Sequence, residues 1–298
     1  MNISADCMSC IINGQLKHIL PLGNEATRTQ YMRKIFALIA ETPDGYSSPW
    51  ITCRIEKEFE AFWGMPMHSY TEEKIQYNRI MLEKEHLMEG IMAETDTPLE
   101  TAIKLSRAGN YIDFSAMIDV SEEGLNDILH RSVNEVLPAE TVAQFKADLA
   151  KAKKLVYLTD NCGEIVLDKI LVKTIKELYP QIDITVMTRG GEALNDATVE
   201  DAISVGMDKL ARVVGNGTCC PGTELRQISQ EALNYINSAD VIISKGMGNF
   251  ETMSACGLNV YYIFLCKCSY FERRFNLPRL TGVFLREKDH TPEHWNTV

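Results

Sequence analysis

The sequence predicts an α/β protein: a mainly parallel sheet layered by helices over residues 151–298, preceded by an all-helical subdomain over residues 1–150. Three observations carry this expectation. After Lys154, five short apolar runs (LVYLT, DITVMT, ARVVG, DVIIS and VYYIFL) alternate with helical segments, as strands do when helices cover both faces of a parallel sheet. From about residue 10 to 150 the apolar residues recur at helical spacing, without period-two alternation. Polar and glycine residues gather directly behind each apolar run, at the strand ends where such a sheet binds its ligands.

In order along the chain, EATRTQYMRKIFALIAE and TEEKIQYNRIMLEKEHLMEGIMAE carry the helical period, and Trp50, Trp63, Met81, Met88 and Met92 read as core. Thr97-Pro98 puts a capping hydroxyl before a first-turn proline, Ser121 precedes Glu122 and Glu123, and Pro138 opens PAETVAQFKADLAKA. The tail from Arg286 is polar and reads as loose. No repeat, low-complexity tract or long linker separates the halves, so they are expected to pack together.

The chain has 298 residues, 45% of them hydrophobic, enough for one sizeable α/β domain and a smaller helical unit. A net charge of −11, from 30 basic and 41 acidic residues, disfavours nucleic acid as a partner. The start, MNISADCMSCIINGQLKHIL, lacks the basic and apolar regions of a signal peptide, and no run approaches the ~18 apolar residues of a membrane span. A cytoplasmic protein with no membrane partner is expected. Nine cysteines in a mid-sized chain point to reduced thiols or a metal cluster rather than a disulfide framework. The oligomeric state is not legible.

The chemistry collects at the strand ends. LVYLT runs into Asp160-Asn161, DITVMT into Arg189-Gly190-Gly191 and then Asn195-Asp196, and DVIIS into Lys245-Gly246-Met247-Gly248-Asn249. Asp160 and Asn161 each have a second reading as helix caps. Two acidic clusters at neighbouring strand ends would repel unless a cation sat between them, and Asp and Asn oxygens without a nearby histidine suit Mg²⁺ or Mn²⁺. Glu164 follows Asp160 by one helical turn and is a candidate to orient a ligand or water; Asp168 reads as a supporting or surface group. Lys245, followed by Gly246 and Gly248 that allow close backbone approach, is a candidate grip for a phosphate, against the alternative of a solvated turn lysine. Arg189, Gly246, Gly248 and Asn249 join it as candidate substrate contacts. Cys162 stands where a haloacid-dehalogenase phosphatase would carry its second aspartate, so that pattern is absent.

The strings DNCGEIVLDK, RGGEALNDATVEDA, GNGTCCPGT and SKGMGNFE, in this order and spacing, resemble the DUF89 family of damage-control phosphatases with an ARMT-like metal-binding fold. ADCMSC and GNYIDF are similar to its shorter microbial branch. The resemblance implies a Rossmann-like three-layer α/β/α domain against a helical subdomain. It also implies a phosphatase acting on small phosphorylated metabolites, such as sugar phosphates or damaged cofactor intermediates, with Mn²⁺, Mg²⁺, Co²⁺ or Ni²⁺. On the family's pattern the metal ligands are Asp160, Asn161 and Asp196, Lys245 contacts the substrate phosphate, and Asn110 and Asp113 lean in from the helical half. Without the resemblance, Asn110 and Asp113 read as turn formers after Gly109. MPMHSYTEEKIQYN keeps the family's Lys74 and Asn78 but loses the Asp-Pro of its Asp-Pro-Tyr.

Two rival functions remain at the sequence level. The family's name carries a carboxyl-methyltransferase proposal, although only Gly163 follows the first strand in place of a glycine-rich loop. A noncatalytic metal or metabolite-binding protein is the other. Cys7 and Cys10, with Cys266 and Cys268, would form a second cluster for zinc or iron if the N-terminus folds back beside the last apolar strand, against the alternative of buried thiols. Cys219-Cys220 reads as structural, and the histidines as surface or packing residues.

Overall fold

The computed structural model describes residues 1–111 and 122–289; Asp113, Ser121 and the tail from His290 lie outside the described residues. Six strands form one sheet in the order β3-β2-β1-β4-β5-β6. They are β1 Lys154–Leu158, β2 Asp183–Thr188, β3 Arg212–Gly215, β4 Val241–Lys245, β5 Val260–Leu265 and β6 Gly282–Arg286. The first five are parallel and coincide with the five apolar runs. β6 is the strand the sequence does not announce: GVFLR has only three consecutive apolar residues, and antiparallel pairing with β5, Leu265 opposite Gly282, makes it a strand.

Successive strand residues serve opposite faces of the sheet. Leu155, Tyr157 and Ile243 enter one apolar cluster, whereas Val156, Leu158 and Ile242 enter another. Both faces are covered, which is why these strands are apolar at every position. The first face is covered by α6 Pro98–Ala108, α7 Glu122–Val133, α8 Ala139–Lys151 and α9 Glu164–Leu178. That cluster runs across position 150, so the helical half contributes directly to the sheet's core. α11 Gln230–Ser238, α12 Gly246–Met253 and α13 Ser269–Phe275 cover the second face, and the short α10 Val199–Ser204 follows the loop after β2.

α1 Ala5–Ile19, α2 Glu25–Ala40 and α3 Ser48–Trp63 form a third apolar cluster around Tyr31, Ile35 and Phe59. The long stretch from Thr71 divides into α4 Thr71–Glu83 and α5 Glu85–Ala93 at Lys84. Pro98 opens α6 as expected, but Thr97 makes no side-chain cap; its N–H instead donates to Thr95 Oγ1 at 3.1 Å. One expectation is corrected: Cys53 on α3 and Cys220 in the loop after β3 form a disulfide, their Cα atoms 5.0 Å apart. The remaining described cysteines are free. No described helix is long and apolar enough to cross a membrane.

The order 3-2-1-4-5 reverses between β1 and β4. Loops leave these strands in opposite directions, opening a crevice at their carboxyl ends. The candidate site residues are there.

Candidate active site

Asp160 and Asn161 leave β1, and Asp196 lies in the loop after β2. Two bridges beyond the strands bring these segments together, Asn161 with Asp196 and Arg189 with Thr198. The Ala197 N–H donates to the Asp160 carbonyl at 2.8 Å, and the Cys162 N–H to the Asn195 carbonyl at 2.9 Å. The expected convergence is thus built by backbone pairing. Asp160 and Asn161 keep part of their surface open, whereas Asp196 is buried.

Gly246 closes the site from the β4 side. Its φ of +78° favours glycine, and a Cβ there would fall within the Asp160 carboxylate. The first turn of α12 therefore comes up directly against Asp160, with the unpaired N–H groups of a helix start nearby.

Behind the opening lies a buried ionic network. Lys245 is 0% exposed, and its ammonium donates to Glu164 Oε1 at 2.6 Å, Asp168 Oδ1 at 2.6 Å and the Ser106 carbonyl at 2.9 Å. An ammonium has three donors, and all three are engaged. Asp168, expected as a supporting or surface group, is fully buried, and it also accepts from Tyr157 Oη at 2.7 Å and Ser106 Oγ at 2.8 Å. Asn110 donates from Nδ2 to Glu164 Oε2, an oxygen that Asn161 Nδ2 reaches at 3.4 Å. A Cβ on Gly109 would sit 2.6 Å from Glu164 Cγ, so the end of α6 closes tightly over the start of α9.

Several residues expected at the substrate are instead holding the frame. Arg189, 1% exposed, donates from Nε to Asp196 Oδ2 at 2.5 Å, from Nη1 to Thr223 Oγ1 at 3.2 Å and from Nη2 to the Thr159 carbonyl at 3.3 Å. Asn249 donates to the Thr159 and Lys245 carbonyls at 2.9 and 2.7 Å and accepts from Thr223 Oγ1 at 2.7 Å. Both are buried tethers between strand ends. Gly248 serves close packing: a Cβ on Gly222 would overlap its carbonyl.

Burial holds the Asp160 carboxyl well above the usual carboxylate range, reinforced by the charges of Asp196 and Glu164 and only partly opposed by Arg189 and Lys267. Burial also raises Asp196, with Arg189 opposing. Such a pair has unmet demand for positive charge. The Asp160 and Asp196 carboxylates and the Asn161 amide oxygen are all hard donors, a set that fits a divalent cation of the Mg²⁺ or Mn²⁺ type.

Residues 3–278 match the damage-control phosphatase ARMT1-like domain. The chain belongs to the damage-control phosphatase ARMT1-like family. A damage-control phosphatase of Pyrococcus horikoshii is 34% identical over 190 residues, 63% of this chain and 65% of that protein, so the aligned stretch spans under two thirds of that relative. A damage-control phosphatase of Archaeoglobus fulgidus is 31% identical over 282 residues, covering 92% of this chain and 95% of the relative. The crystal structure of a DUF89 family protein from Pyrococcus horikoshii matches with a TM-score of 0.81 at 28% identity, over 96% of this chain and 99% of that one. These ARMT1-like relatives support a phosphatase function.

The four cysteines expected as a second metal cluster, Cys7, Cys10, Cys266 and Cys268, are all free thiols. Cys268 lies within electrostatic reach of Cys7, Cys10 and Cys266, as folding of the N-terminus beside β5 requires. Among the described residues, however, no group of three or more His, Cys, Asp or Glu side chains is arranged to hold a metal ion. Burial raises the Cys7, Cys266 and Cys268 thiols.

Sequence reasoning missed Glu56, Lys74's partners and Thr223. Lys74, 1% exposed, pairs with Asp201 at 2.8 Å and Glu192 at 3.0 Å, and Asn78 Oδ1 accepts from the Gly163 N–H at 2.6 Å. Their retention despite the missing Asp-Pro was the available signal. Thr223 closes the string GNGTCCPGT, so its motif was visible though its partners were not, whereas Glu56 sits in a stretch without distinctive spacing.

Proposed function

We propose that the chain is a divalent-metal-dependent phosphatase that hydrolyses phosphoric monoesters of small metabolites. The observation carrying this reading is the backbone-built approach of Asp160, Asn161 and Asp196 at the sheet's switch point, facing the start of α12. Asp160, Asn161 and Asp196 would hold the ion, which when bound polarises phosphoryl oxygens and neutralises charge in the transition state. The N–H groups at the start of α12 would serve a phosphate dianion held beside Asp160, since Gly246 lets the helix start approach that carboxylate. Arg189 fixes the Asp196 carboxylate, and Asn110 and Lys245 fix Glu164. Lys245, buried with its three donors engaged, would meet a phosphoryl oxygen only by giving up one of them, and giving up that to Glu164 would couple substrate binding to release of Glu164. The freed Glu164 carboxylate, beside Asn161, is then available to accept a proton.

Phosphate release from a panel of phosphorylated metabolites, with several divalent ions and a chelated control, tests this. Turnover is expected only with an ion, and Asp160→Ala and Asp196→Ala should abolish it while leaving circular dichroism unchanged. Metal binding without release of phosphate from any substrate would favour a noncatalytic binding protein. Chelator-resistant binding of S-adenosylmethionine would favour a methyltransferase.

A further inference from the structure

A cleft of about 450 Å³ lies between α3, the segment leading into α4, and the loop from β2 to Asp196. Glu56, Tyr70, Glu192, Leu194 and Cys219 are among its lining residues. Glu192 and Leu194 belong to the loop that carries Asp196, and Glu56 lies within electrostatic reach of Asp196 itself. The cleft therefore adjoins the metal and phosphate site. Its charged groups are unequal in availability: Glu192 is paired with Lys74 at 3.0 Å and His68 with Glu73 at 3.4 Å. Glu56 is half-buried and has no hydrogen-bond or ion-pair partner among the described residues.

We propose that this cleft holds the non-phosphate body of the substrate and that Glu56 sets its specificity, selecting a monophosphate with hydroxyl or ammonium donors and rejecting one with a second anionic group. This rests on the phosphatase reading above. Burial, and then the charge of Asp196, push the Glu56 carboxyl up to about 7; above that pH it is a carboxylate without a partner, partly withdrawn from water, which gains most from a donor and repels a second carboxylate or phosphate, since low local dielectric strengthens both effects. The exposed Glu60 and Lys57 oppose each other through solvent, and Glu192 is already paired with Lys74, so Glu56 carries the bias.

Glycerol 1-phosphate and 3-phosphoglycerate are a matched pair, a hydroxymethyl group in one replaced by a carboxylate in the other. For the metal-loaded protein at about pH 8.5, where Glu56 is ionised, the ratio of kcat/KM for the first over the second is expected to exceed one. Glu56→Gln should lower that ratio at least tenfold, because a charged hydrogen bond is lost on one side and a repulsion on the other. If neither ester is hydrolysed, the ratio of their inhibition constants against p-nitrophenyl phosphate is read in the same way. A purely structural role for Glu56 would shift both esters together and leave the ratio unchanged, which would overturn the proposal while sparing the phosphatase reading. Should no phosphate be released from any ester with any divalent ion, both fall. Glu56→Asp, which keeps the charge, is expected to retain the sign of the preference, and loss of preference there would also count against the assignment.

Discussion

At the scale of single residues, the ion-site candidates were legible and their partners were not. Asp160, Asn161 and Asp196 stand out because carboxylates and amides directly behind apolar strands are costly without a cation or a cap. Gly246 shows the limit: its sequence neighbours suggest close approach, but only the fold reveals that its missing Cβ makes room for Asp160. Gly246→Ala is expected to cost about 1–2 kcal/mol from the left-handed backbone alone, and more from overlap with the carboxylate. Divalent-ion titration followed by thermal melting should show the variant's ion-induced stabilisation reduced or absent. Arg189 and Asn249 sit at strand ends as a substrate contact would, yet each uses its donors on the protein, since sequence reports a residue's type and place but not the carbonyl it meets. Glu251 on α12 is a separate case, 7% exposed, its carboxyl pushed by burial from 4.5 to about 7. Folding therefore favours its protonated form. That stabilisation is complete below about pH 4.5 and is lost as pH rises through about 7, a swing on the order of 3 kcal/mol. In chelator, Glu251→Gln should flatten the fall of Tm between pH 4.5 and 7 relative to the parent protein; parallel curves would contradict the buried-carboxyl account.

At the scale of elements, the five parallel strands were readable because each is buried on both faces and so has no polar interruption. β6 escaped because an edge strand paired on one side needs only a short apolar segment, and its partner Leu265 lies 17 residues before Gly282. The Cys53–Cys220 bond was unreadable for a stronger reason: its partners are 167 residues apart, on α3 and a strand-end loop, and only the tertiary path brings them together. Closing so long a loop restricts the unfolded chain, so Cys53→Ser is expected to lower stability by about 2–4 kcal/mol. Reductant should lower the parent protein's Tm to near that of the variant and leave the variant's own Tm unmoved. A parent Tm indifferent to reductant would mean the bond adds nothing to stability in solution.

At the scale of the whole molecule, the site belongs to neither half alone. The helical half supplies Ser106 and Asn110 to the Lys245–Glu164 network, Asn78 to the Gly163 N–H, and Lys74 to the far side of the loop that carries Asp196. Lys74 is the joint most open to test. Asp201, 12% exposed in its side chain, accepts from the Thr198 N–H and hydroxyl at 2.9 Å, closing the capping box of α10, and meets Lys74 at 2.8 Å. Lys74 also meets Glu192, so its ammonium spans the loop that carries Asp196 from one end to the other. Lys74→Met removes the cation but keeps the apolar stem, leaving a nearly buried carboxylate uncompensated; breaking such a pair costs about 3 kcal/mol or more, discounted at the exposed Glu192 by solvent. Because the loop between these two anchors presents Asp196, the loss should extend to the ion: the divalent concentration for half-maximal phosphate release is expected to rise about tenfold, as ~1.4 kcal/mol of lost preorganisation would produce. Stability by denaturant titration and the metal midpoint by activity are separable readouts. A variant that loses stability yet keeps the parent's metal midpoint would show that α4 braces the fold without shaping the ion site.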